Sequence, residues 1–147
     1  MKELTKLYPK PSSPCNCMNI RRASRAVTQF YDATLQPSGL TITQMGLLKV
    51  IAALSAPSMS DLAAAFRIDR TTLNRNLKPL EESGYLRLQR GQDARRREAV
   101  LTPDGRQALE QAQRLWTEAQ QAMADYLGPG DLQQLKQILS KLEALVP

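Results

Sequence analysis

The sequence predicts a mainly α-helical fold carrying one small two-stranded antiparallel β-hairpin, and three observations predict it. Apolar residues recur at three- and four-residue spacing through most of the chain, the period of a helix with one buried face. Helix-start chemistry precedes several of these stretches: Thr41 and Gln44, Ser58 and Asp61, Asp69, and Thr102-Pro103. Only residues 85–90 and 97–102 have strand character, and they flank the turn-forming Gly91-Gln92-Asp93-Ala94. The chain has 147 residues, close to the soft prior of about 150 for one domain.

Residues 1–14 are expected to be irregular, because the Pro-Ser-rich stretch 9–14 blocks helix and favours turns. A first helix begins near Cys15 or Cys17, with Ile20, Ala23, Val27 and Phe30 on one face, and ends before Pro37-Ser38-Gly39. After the Thr41 capping box, Leu47, Leu48, Ile51 and Leu54 lie on a helix apolar nearly all round, which marks a core element. A short helix follows Ser58, with Leu62 and Phe66 on one face. The next starts at the N-cap Asp69, repeats Leu73, Leu77 and Leu80, and ends at Gly84, placed to adopt a left-handed conformation. Pro79 inside this helix predicts a local distortion, because it removes a hydrogen bond and crowds the carbonyl of Arg75.

Beyond the hairpin, Thr102-Pro103 opens a long helix with Leu109, Ala112, Trp116, Ala119 and Met123 on one stripe, and Gly128-Pro129-Gly130 stops it. A last helix sets Leu132, Leu135, Ile138, Leu142 and Leu145 in a seam that calls for a partner helix.

Composition removes whole classes of function. Lysine and arginine exceed the acids by six, which favours polyanionic partners. With no histidine, imidazole-based triads and His-ligated metal sites are excluded. The only cysteines, Cys15 and Cys17, cannot build a disulfide scaffold, and two thiols do not make a metal site within one chain. No catalytic residue, metal or cofactor is expected. The N-terminal residues contain no apolar stretch fit for a signal peptide, and no run approaches the ~20 residues that span a bilayer. A cytoplasmic protein without membrane contact is expected.

The order of core helix, short helix, tight turn, polar-faced helix and basic hairpin is that of a winged helix-turn-helix, the hairpin being its wing. The helix over 70–83 would enter the major groove of double-stranded DNA. Arg70, Thr71, Asn74 and Arg75 are candidates for base edges, where arginine forks onto guanine and asparagine onto adenine. Thr72 and Lys78 are candidates for phosphates, contacts that position without specifying. The hairpin adds Arg87, Arg90, Arg95, Arg96 and Arg97 against two acids, Asp93 and Glu98, and an arginine at such a tip suits a narrow minor groove.

With those residues in place, the sequence resembles the MarR family of transcriptional regulators. The stretch 68–81, then Gly84-Tyr85-Leu86, Asp93-Ala94-Arg95-Arg96-Arg97 and Leu101-Thr102-Pro103-Asp104-Gly105, follow the family's recognition helix, wing and wing exit in order. The resemblance implies a homodimer. Residues 38–105 would form the DNA-binding lobe, and residues 15–37 and 103–147 the helical dimerisation region. It implies that Asp93 braces a wing arginine while Arg95 or Arg97 reaches the minor groove. It further implies a repressor of a pseudo-palindromic operator, released by a small molecule or oxidant, with Arg22, Phe30, Leu48 and Trp116 lining a ligand pocket. The family's organic-peroxide-sensing branch carries a reactive cysteine where this chain has Cys17, but this chain places Arg21 where that branch has a tyrosine. Two readings of Cys15 and Cys17 stay open: redox-active thiols, or small residues packed at the dimer interface. The alternative function is a thiol-based redox protein whose basic surface is incidental.

Overall fold

The computed structural model describes residues 9–146. Residues 9–14 carry no helix or strand, and the remainder of the expected irregular segment lies outside the described residues. The first helix, α1, spans Asn16–Leu35 and passes into a 3-10 turn at Gln36–Ser38. Then come α2 (Ile42–Leu54), α3 (Met59–Phe66), α4 (Arg70–Glu82), β1 (Leu86–Arg90), β2 (Arg97–Leu101) and α5 (Pro103–Glu143).

Local chemistry sets most of the boundaries. Thr41 and Gln44 form a reciprocal capping box, as do Ser58 and Asp61, so two orphan N–H groups are satisfied at the start of α2 and of α3. The α3–α4 turn is tight because Arg67 adopts a left-handed conformation, φ 51°, and donates its N–H back to Ala63 and Ala64. The Asp69 side chain accepts from the Thr72 N–H at 2.8 Å and so caps α4. Pro79 does not end α4, which continues to Glu82. Gly84 follows with φ 75°, the left-handed turn expected of it.

The core gathers Leu35, Leu47, Leu48, Ile51, Leu62, Leu73, Leu77, Leu80, Leu86, Ala99 and Ala112. It is closed by α5, whose Leu109 and Ala112 pack into it while Ala119 is buried further along the same stripe. The strands pair antiparallel with Leu86 opposite Leu101, Leu88 opposite Ala99 and Arg90 opposite Arg97. Backbone contacts at Ser58–Glu98 and Ala99–Pro57 tie the hairpin to the chain entering α3. At the wing exit, the Thr102 hydroxyl donates to the Gly84 carbonyl (2.6 Å) and accepts from the Gly105 N–H (3.0 Å), joining the end of α4 to the start of α5.

Two expectations are corrected and a third is met. The buried residues of α1 are Tyr31 and Leu35; Ile20 and Val27 stay 44% and 42% exposed. The C-terminal end of α1 meets α5 and α2, where the Tyr31 hydroxyl donates to Gln120 and Asp32 accepts from the Ile42 N–H; near its start, Asn19 exchanges hydrogen bonds with the Ser13 backbone. Leu54 is 50% exposed, and Met45 packs inside in the same helix, because α2 covers the core with its first three turns and its last runs out towards solvent. The expected break between the two C-terminal helices is present: within the span of α5, Gly128 leaves helical geometry with φ 78° and ψ 161°, so two helices meet there at a kink. Among the described residues, every exposed large hydrophobic side chain except Leu54 lies on α1 or from Tyr126 onward.

Candidate nucleic-acid interface

On α4 the three leucines Leu73, Leu77 and Leu80 are buried, while Arg70, Thr71, Asn74, Arg75 and Lys78 are exposed on the remaining surface. The helix thus spends one stripe on the core and presents donors elsewhere. Thr72 is different. Its hydroxyl donates to the second oxygen of Asp69 at 2.8 Å, so this candidate phosphate ligand is engaged in capping the helix. Lys78 lies 3.8 Å from Glu82, an exposed pair of little energetic consequence.

Three aspartates of this lobe, Asp61, Asp69 and Asp93, accept from backbone or hydroxyl donors. The Asp69 carboxyl is held below its ordinary range by the Thr72 N–H and then by the Thr72 hydroxyl. The Asp61 carboxyl is lowered first by the Ser58 hydroxyl and then by the Ser58 N–H, with a smaller contribution from the charge of Arg96. Both caps are therefore intact at neutral pH and are lost only as acid protonates these groups below the usual carboxylate range. Asp93 accepts from the Arg95 N–H at 3.1 Å, and its carbonyl accepts from the Arg96 N–H at 2.8 Å. What it braces in this structure is the backbone of the wing loop.

The strand period places Arg90 and Arg97 on the same face of the hairpin as Leu86, Leu88, Ala99 and Leu101, one step beyond the apolar pairs. That face turns towards α4. Between wing and helix lies a cavity of about 230 Å³ lined by Met59, Arg70, Asn74, Leu88, Arg95 and Arg97. Tertiary structure thus joins two of the α4 candidates to two of the wing candidates. Met59 and Leu88 carry no sequence signal for this role, since it is backbone pairing at Ser58–Glu98 and Ala99–Pro57 that brings the start of α3 beside the wing. Arg90 and Arg96 are exposed at the wing but do not line the cavity.

The remaining candidates are dispersed. Arg22 borders a larger groove, about 740 Å³, between α1 and the segment at Lys10–Ser12. Phe30, Leu48 and Trp116 do not line that groove: Phe30 packs edge-on against Tyr31, Leu48 is fully buried in the core, and Trp116 lies under Lys49, whose ammonium is 5.5 Å from the ring centroid. Cys15, the N-cap residue of α1, and Cys17 are both exposed thiols. Among the described residues there is no cluster of three or more side chains suited to a metal ion, and no single helix is long and apolar enough to cross a membrane.

A trihelical core with a capped, donor-rich α4 and an arginine-bearing wing defines a winged helix-turn-helix DNA-binding protein. The MarR family model matches residues 38–97. The chain is similar to the M. tuberculosis transcriptional regulator MosR in complex with DNA, with 38% identity, coverage of 90% of this chain and 99% of that one, and a TM-score of 0.74. It is also similar to Bordetella bronchiseptica BpsR, whose DNA binding is regulated by 6-hydroxynicotinic acid, with 25% identity, 92% and 98% coverage, and a TM-score of 0.77. A Bacillus subtilis relative, the uncharacterized HTH-type transcriptional regulator YwoH, is 24% identical over 92 residues, which is 63% of this chain and 67% of that protein. The chain belongs to the MarR family, whose members are DNA-binding transcriptional regulators and not enzymes.

Proposed function

We propose that the protein is a homodimeric repressor that binds a pseudo-palindromic operator in double-stranded DNA and leaves it on a small-molecule or oxidant signal. The observation that carries this reading is the cleft between α4 and the wing, bordered by three arginines and an asparagine and by no carboxylate. In it, α4 occupies the major groove with Arg70, Thr71, Asn74 and Arg75, and the wing carries Arg90, Arg95, Arg96 and Arg97 to the adjacent backbone and minor groove. Lys78 adds a phosphate contact, and Asp93 keeps the wing loop in shape for that approach.

The homodimer follows from what the single chain leaves uncovered. The α1 face with Ile20 and Val27, and the seam with Leu135, Ile138 and Leu145, are exposed and apolar, so a second copy of each is the natural cover. Two lobes held about 34–36 Å apart then meet successive half-sites, and a rotation of either against the helical base breaks register. Effector binding is read to the region where α1 and α5 meet the lobe, near Phe30 and Trp116. The regulation of BpsR by a small molecule supports that reading.

The test is binding of the full chain to the DNA upstream of its own gene over a salt series, with random duplex as competitor. Competitor-resistant binding with a steep salt slope supports the proposal; equal affinity for both duplexes at every salt concentration sinks it. In the same assay Arg75→Ala is expected to lose about 1–3 kcal/mol on operator and much less on random duplex. Equal losses on the two would make Arg75 a phosphate contact.

A redox input is favoured by one observation, the exposure of both thiols at the start of α1. Peroxide is then expected to release operator DNA and a thiol reductant to restore it, through reversible oxidation of Cys17. A Cys17→Ser protein still released by peroxide would assign the response elsewhere.

A further inference from the structure

We propose that the cavity between α4 and the wing is a clamp for one phosphodiester of the DNA backbone, held by Arg70, Arg95 and Arg97, and that base reading falls to Thr71 and Arg75. The inference rests on the DNA-binding reading and divides labour within that surface.

Helix geometry makes the first division. At about 100° per residue, Thr71 and Arg75 sit opposite the buried stripe of Leu73, Leu77 and Leu80 and point straight out of the lobe. Arg70 and Asn74 lie one turn apart on the flank between that outward face and the buried one. This flank is the one that borders the cavity. A side chain aimed along the lobe surface towards the wing is poorly placed for the floor of a groove that α4 enters head-on.

Strand geometry makes the second. Arg97 occupies the core-facing side of the hairpin beyond the last apolar pair, Leu88 and Ala99, so it overhangs the cavity from the wing. Its cross-strand partner is Arg90, and like charges placed directly opposite destabilise a hairpin. The two acids of the wing do not relieve this. Asp93 is engaged with the Arg95 backbone, and among the described residues no carboxylate lies within 4.0 Å of Arg70, Arg90, Arg95 or Arg97. Three arginines without a carboxylate partner thus border one cavity of about 230 Å³, together with Asn74, Met59 and Leu88.

The shape of DNA supplies the occupant. A helix in the major groove and a hairpin in the neighbouring minor groove straddle the sugar-phosphate strand that separates those grooves. Whatever lies between α4 and the wing therefore meets that strand. A phosphodiester offers single negative charge and two free oxygens, and arginine forks match such groups in geometry as well as charge.

The experiment uses the full chain, its fold checked by thermal melting, and a pool of random-sequence duplexes from which preferred sequences are enriched. Arg70→Ala is expected to weaken binding roughly tenfold per half-site on enriched and random duplex alike, to reduce the salt slope by about one per half-site, about two for the homodimer, and to enrich the wild-type consensus. Arg70→Lys is expected to restore the slope, because a phosphate accepts a point charge whereas a guanine fork does not. Arg75→Ala is expected to relax the consensus and leave the slope nearly unchanged. An Arg70→Ala protein that enriches a different or relaxed consensus, or loses affinity on the enriched duplex alone, overturns the clamp while leaving DNA binding standing. A wild-type protein that retains no duplex at low salt overturns the DNA-binding reading and the clamp with it.

Discussion

Replacing Leu135 and Ile138 together by lysine is expected to convert the protein to a monomer and to cost operator affinity about 100-fold or more, the advantage that linkage of two reading heads supplies. Both side chains are already exposed in the single chain, at 39% and 54%. The substitutions therefore remove no packing from the lobe, and each chain should keep its helical circular dichroism. What they remove is the apolar cover each C-terminal seam would offer its copy, replaced by like charges that repel across the symmetry axis. Sedimentation reads the mass and a competition assay reads the affinity. A variant that remains a dimer would place the interface elsewhere, and a monomer that binds operator as tightly as the parent would show that dimerisation does not supply the affinity.

Gly105→Ala is expected to destabilise the fold by about 3 kcal/mol, near the upper end for overpacking, and to lower Tm by roughly 10 °C. A β-carbon there would overlap the carbonyl oxygen of Tyr85, lie 2.8 Å from its carbonyl carbon and 3.0 Å from Leu101 Cδ2. That carbonyl is not free to move, since it accepts the Thr102 N–H at 3.1 Å where the wing returns into α5. The obstacle is backbone and cannot be relieved by a rotamer change, so the start of α5 would lift away from the lobe. Gly130→Ala is the control, with nothing within 4 Å of the added carbon, and should change stability by no more than about 0.5 kcal/mol. Urea melts at one protein concentration compare the two; a Gly105→Ala protein as stable as the control would show that the helix start yields at little cost.

Much of the architecture was legible because it is specified locally. Capping at Thr41, Ser58, Asp69 and Thr102 depends on side chains reaching backbone N–H groups three residues away, and each cap formed as its sequence indicates. The leucine spacing of α4 and the alternation of the wing likewise predict which residues turn inward. The legible part of the interface was its chemistry, the donors of α4 and the arginines of the hairpin. Less legible was Thr72, read as a phosphate ligand and engaged by Asp69, because an N-cap consumes hydroxyls as well as N–H groups.

By itself the sequence determined the elements, their order and the kind of partner they suit, since period, capping and charge act over a few residues and need no distant contact. Tertiary structure alone decided which apolar face each element uses. The stripe on α1 is periodic whether this chain or a copy covers it, and the same periodicity could not tell that Leu54 runs past the edge of the core. It also decided which cations work together. Arg70 and Arg97 belong to separate elements, and they share a cavity only because the chain before α3 pairs with β2 and draws the wing alongside α4.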